Sequence, residues 1–215
     1  MTWDPTRHPG LAYRHAFDWL ALQLHAAAGP VAALAPSVFH AGELLRRLPH
    51  LALLPPTPDG LEAVAAALGS RPNRAMARAA AGLRAAAWPE PAAATGPERL
   101  PQIHSWLQPG GHLYLVAADR LAPFLAERRS RPVPPALDAA RATALLREHH
   151  FRVVAHTGLH GPRAIAWHYA AEAAACLGQL ARRDRAHFAM RRDFVETGPG
   201  RRLSALALIT AERRP

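Results

Sequence analysis

Apolar positions along the chain fall into blocks that alternate between helical spacing and short continuous runs. Leu11 to Ala28 predicts a helix with Leu11, Ala16, Trp19, Leu20 and Leu24 inward, ended by Gly29-Pro30. Val31 to Leu34 is a short apolar strand candidate, Ala35 to Gly42 a loop, and Glu43 to Leu48 the start of a helix closed by Pro49. His50 to Leu54 predicts a second strand, followed by a Pro-rich turn and a helix over Leu61 to Leu68. This rhythm is that of a βαβ unit. Ser70 to Ala81 is rich in Arg and Ala and partly helical in pattern; Leu83 to Trp88 is a further strand.

The stretch Leu100 to Asp119 carries the clearest pattern. Leu100, Ile103, His104 and Leu107 recur at helical spacing. Pro109-Gly110-Gly111 predicts a turn, because proline cannot continue a helix and glycine accepts positive φ. Leu113 to Ala118 is a nearly unbroken apolar run, as expected of a strand covered on both faces. Arg120 to Arg129 predicts a short helix. Leu137 to His149 predicts another, with Leu137, Ala140, Ala144 and Leu145 inward. His150 to Val154 enters the next strand. Leu203 to Thr210 alternates and suits an antiparallel final strand.

Composition narrows the picture. A chain of 215 residues suits one domain with a sizeable core. The formal charge is +10, and every basic residue is arginine. There is no aromatic-rich sheet pattern and no zinc-finger spacing, so nothing favours nucleic acid beyond net charge. Cys176 is the only cysteine, which excludes an intrachain disulfide and suits a reducing cytoplasm. The first residues, MTWDPTRHPG, lack a signal-peptide apolar core, and no run of about 18 apolar residues exists to span a bilayer. A peripheral contact with a membrane surface stays open. His149 and His150 are adjacent at a helix end and point in different directions, so no metal pair is expected. No other metal-binding, P-loop or nucleophile-elbow motif occurs.

The segment "WLQPGG" followed by "HLYLV" resembles the signature before the fifth strand of class I S-adenosylmethionine-dependent methyltransferases. "ELLRRLP", "PTPDGLEAVAAAL" and "LLREHHFRVV" also resemble stretches of that family. Together the likeness covers nearly the whole chain. It implies a Rossmann-like α/β domain over residues 1–215: a mostly parallel seven-stranded sheet whose last strand is antiparallel, with a helical insertion at roughly 158–202. It also implies S-adenosylmethionine as cofactor.

The resemblance places the cofactor around Ala35, Ser37, His40 and Gly42 after the first strand, Pro56 after the second, and Trp88 at the end of the 83–88 strand. The chemistry-bearing pattern has drifted. The loop is about three residues longer than the family's glycine-rich one, and only Gly42 remains of its glycines. The acid usual at the end of the first strand falls at Ala33. The acid that grips the ribose falls at Pro55 or Pro56, with Asp59 and Glu62 as distant substitutes. No catalytic residue is assigned; His40 and His160 are the histidines placed to act as a base near neutral pH.

The insertion is far longer than an ordinary connection, at about 45 residues. It offers three readings. One is a lid over a hydrophobic or anionic acceptor, with His160, Trp167 and Tyr169 toward the substrate and arginines toward an anionic group. The others are a membrane-surface contact and a protein interface. Three functions follow: a divergent methyltransferase acting on a small-molecule acceptor, a methyltransferase-like domain without catalysis that serves as a binding or assembly partner, or an anion- or nucleic-acid-binding protein that uses the net charge.

Overall fold

The computed structural model describes residues 10–35, 38–54, 82–89, 96–121, 137–163 and 203–215, with 166, 170 and 173 beyond. In chain order these form α1 (Gly10–Ala26), β1 (Val31–Leu34), α2 (Val38–Arg47), β2 (Ala52–Leu54), β3 (Leu83–Pro89), α3 (Gly96–Trp106), β4 (Leu107–Ala118), α4 (Ala139–Glu148), β5 (Phe151–Leu159) and β6 (Leu206–Arg213). The strands make one sheet in the order β2-β1-β3-β4-β6-β5. β6 is antiparallel to both its neighbours, and the β2-β1-β3-β4 pairings are parallel. The mixed α/β sheet with its antiparallel last strand is as expected. Six strands are described against the seven expected; segment 55–81 lies outside the described residues.

Both faces of the sheet are buried, which is why β1, β3 and β4 read as continuous apolar runs. On one face α3 and α4 pack Leu100, Ile103, Leu145 and Leu146 against Leu113, Leu115 and Ile209. On the other, α1 packs Ala16, Phe17, Leu20 and Leu24, with Leu44 of α2, against Ala85, Ala87 and Val116. Each such leucine or phenylalanine contributes about 1.5–3 kcal/mol of burial. Phe17 was absent from the expected inward face of α1, and the side chain of Leu11 lies outside the description.

α4 departs from the expected face. Its buried residues are Ala139, Ala142, Leu145 and Leu146, while Ala140 is exposed. The cap sets this phase. Ala118 N–H donates to the Leu137 carbonyl at 3.2 Å, and the Asp138 side chain accepts from Arg141 N–H at 2.8 Å. The helix therefore starts where β4 ends, and its rotation is fixed there.

Pro109-Gly110-Gly111 is not a turn ahead of the strand. It lies inside β4, which begins directly after α3. Leu83 pairs with Leu107, yet Ala85 pairs with His112, so β4 carries extra residues in an irregularity between them. Gly110 has φ +73°. A Cβ on Gly111 would lie 2.8 Å from the Gln108 carbonyl oxygen, 3.1 Å from that of Leu83 and 3.3 Å from that of Arg84. All three are backbone atoms and cannot swing away. Gly111→Ala is expected to lower stability by about 1–3 kcal/mol in urea unfolding. A neutral result would show that β4 does not start through this close approach.

Candidate ligand site at the carboxyl edge of the sheet

The pairing register brings the carboxyl ends of the parallel strands to one edge. Leu34 pairs with Leu54, Ala33 with Ala87, and Pro89 with Val116. From β1 the chain goes to β2 on one side, and β3 and β4 lie on the other. That reversal between β1 and β3 leaves a crevice where ligands bind in open α/β sheets.

Only residues 35–37 separate β1 from α2. The expected loop over Ala35 to Gly42 is thus mostly helix. The cause is burial: Ala41 and Leu44 are both at 0% exposure, and the His40 ring meets Phe17 of α1 edge-on at 5.8 Å. Packing against α1 recruits Val38 to Gly42 into the helix. His40 and Gly42 are buried within α2, and Ala35 is buried against Ala41 and Leu53. The first turn of α2 carries no acidic residue. The helix dipole gives that end partial positive charge, which suits the carboxylate of a ligand such as the methionine part of S-adenosylmethionine.

The acid nearest this junction is already engaged. Glu43 is buried, and its Oε2 accepts from Arg47 Nη1 at 2.6 Å and Arg46 Nη2 at 2.9 Å. Arg47 Nε in turn donates to Asp18 Oδ1 of α1 at 2.6 Å. The Arg47 guanidinium also lies 5.8 Å from the centroid of the Phe17 ring. This network ties α2 to α1. Its sequence signal was available in the i,i+3 and i,i+4 spacing of Glu43 with Arg46 and Arg47. No carboxylate occupies the described ends of β1 and β2, so no described side chain there would grip a ribose.

Trp88 sits at the end of β3 but is 3% exposed, in the core with Leu34, Leu54 and Leu100. Ser37, Pro56, Trp167 and Tyr169 lie outside the described residues.

The far side of the same edge holds groups that sequence reasoning passed over. β5 continues to Leu159, which overlaps the rough start expected for the insertion. His160 is buried with φ 60°. Its carbonyl and that of Leu159 both accept from Ala205 N–H, at 3.0 and 3.1 Å. Next to it, Ser204 Oγ donates to Asp119 Oδ2 at 2.5 Å. The His15 ring of α1 lies 5.6 Å from that of His160. His15 Nε2 is buried with no hydrogen-bond partner. Burial pushes the His15 pKa below its ordinary value, and Asp18 opposes that shift. His15, Asp119 and Ser204 stand on three separate elements, and no local spacing could have grouped them. Among the described residues no set of three or more His, Cys, Asp or Glu could hold a metal ion.

No family model and no curated protein sequence matches the chain. Its structure is similar to several solved ones. The [4+2]-cyclase SpnF is 16% identical, with a TM-score of 0.54 over 94% of this chain and 80% of that one. The glycopeptide N-methyltransferase MtfA, solved with S-adenosylhomocysteine, is 14% identical, with a TM-score of 0.53 over 96% and 91%. Geranyl diphosphate methyltransferase, solved with S-adenosylmethionine, is 13% identical, with a TM-score of 0.52 over 98% and 92%. The chain has the Rossmann-like fold of class I S-adenosylmethionine-dependent methyltransferases.

Two outcomes test this site. The unfolded chain takes up a proton on His15 near the ordinary value of 6.5, whereas the folded chain resists it. His15 thus costs no stability above that pH and lowers stability as pH falls through 6.5 toward the depressed folded value. His15→Gln is expected to flatten that slope, read as urea midpoints at about pH 7.5 and about pH 5. In the α1–α2 network, Arg47→Met is expected to cost about 3 kcal/mol, because the buried Glu43 carboxylate loses a partner. Adding Glu43→Leu should recover part of that loss; a double variant no more stable than the single one would contradict the network.

Proposed function

We propose that this chain binds S-adenosylmethionine at the carboxyl edge of the sheet and transfers its methyl group to a small-molecule acceptor. The observation that carries this reading is the junction of β1 and α2, where the amino end of a helix with no acid in its first turn follows the carboxyl end of β1. Similar structures solved with S-adenosylmethionine and S-adenosylhomocysteine support it. The bound cofactor supplies a methyl carbon that is already electrophilic, so the protein's task is alignment and proton removal. His15, kept neutral by burial beside the His160 ring, is a described group whose unpartnered Nε2 is of the type that accepts such a proton. The domain in this reading is one unit over residues 1–215, cytoplasmic, with the segment after His160 on the acceptor side.

A second reading keeps the fold and drops the catalysis. It is favoured by Glu43, which is committed to Arg46 and Arg47, and by the absence of another carboxylate at the described ends of β1 and β2. The domain would then act through a binding partner. The fold itself accommodates other chemistry, as the cyclase illustrates. No helix among the described residues is long and apolar enough to cross a membrane.

Isothermal titration with S-adenosylmethionine and S-adenosylhomocysteine separates the readings. Saturable binding with Kd below about 1 mM is expected for both ligands. No heat up to that concentration would overturn the methyltransferase reading and leave the partner-binding one.

A further inference from the structure

The opposite, amino edge of the sheet carries a second cluster, formed where the end of α3, the turn between α4 and β5, and the end of β6 meet. Arg213 of β6 is anchored there, with its Nη1 donating to the Leu107 carbonyl. Among the described residues, its Nε is buried without a partner, and its Nη2 has none either but is not closed off. Nε and Nη2 form the side-on fork that matches two oxygens of an oxyanion. His104, in the last turn of α3, also has a buried Nε2 without a partner. Its ring stands edge-on to Phe151 at 5.2 Å and lies 6.4 Å from the ring of His150. His150 is held at φ 62°, and its carbonyl accepts from Arg214 N–H at 3.2 Å.

Among the described residues no carboxylate pairs with this cluster. Glu212, next in sequence to Arg213, pairs with Arg152. Glu148 faces Arg141 at 3.8 Å. The negative end of α3 compensates the guanidinium only in part. A guanidinium whose Nε is buried without a partner, and that pairs with no carboxylate among the described residues, is costly to keep unless something completes it.

We propose that Arg213, with His104 and the His149-His150 turn, binds a phosphate group at the amino edge of the sheet. The fork takes two phosphate oxygens once the cover over Nε shifts, and the imidazoles stand beside it. Burial, then Arg213, His150 and His149, all push the His104 pKa down; a bound phosphate would reverse the charge part of that shift. The site lies across the sheet from the crevice and does not depend on S-adenosylmethionine binding.

The test is titration of the full chain with inorganic phosphate at constant ionic strength, followed by calorimetry and by the His104 side-chain resonances. Saturable binding and a raised His104 pKa are expected. Arg213→Gln should weaken binding about tenfold or more, and Arg213→Lys should weaken it less. Should Arg213→Gln fail to fold, His104→Phe keeps the ring packing on Phe151 and should still weaken phosphate binding. A phosphate response matched by chloride, or unchanged in Arg213→Gln and His104→Phe, would overturn the proposal. So would the absence of any saturable response, which would leave Arg213 as a cap on the end of α3.

Discussion

The structure depends on a close approach of backbones at the start of β4. Three carbonyl oxygens crowd Gly111, so no side chain fits there. Through this gap α3 runs straight into β4 without a connecting loop. β4 then pairs with β3 on one side and along seven residues with β6 on the other, from His112 to Ala118. The irregularity at Gln108 to Gly111 sets which residues of β3 and β4 face each other. That register in turn decides where the strand ends meet and hence where the crevice lies.

The two edges of the sheet differ in chemistry. The carboxyl edge offers backbone groups, small side chains and a pair of histidines. Its one nearby buried acid is tied to two arginines. The amino edge collects Arg213, Arg214 and three histidines, and among the described residues no acid pairs with them. Charge in this chain is therefore arranged in two ways. Around α1 and α2 it is paired and holds helices together. At the end of β6 it is left open. The net +10 alone distinguishes neither arrangement.

Much of the fold was legible. Val31–Leu34, Leu83–Pro89 and the antiparallel last strand follow from short apolar runs bounded by Gly and Pro. Helix α1 follows from its spacing and its Gly-Pro stop. The errors have specific causes. α2 starts at Val38 because Ala41 is buried against Ala35 and Leu53, and Leu44 against α1, which no local pattern encodes. Gly110-Gly111 signals special backbone, but whether that backbone is a turn or an irregular strand depends on what pairs with it. The buried stripe of α4 is set by Asp138, which is stitched to the end of β4. An alanine-rich helix has several nearly equal faces, so hydrophobicity alone could not select one.

By itself the sequence determined the order of elements, the double coverage of the sheet and the loss of glycines and acids where the related fold carries them. These are properties of neighbouring residues, since propensity, periodicity and chain breaks act over a few positions. Only the tertiary structure decided that His15 meets His160, that Glu43 is committed to Arg47 and Arg46, and that Arg213 Nε and His104 Nε2 are buried without a partner. His15 and His160, like Arg213 and His104, are far apart in the chain. Glu43 is close to its arginines, but its burial is set by α1. Each arrangement exists because packing removes water and fixes which polar groups remain without a partner.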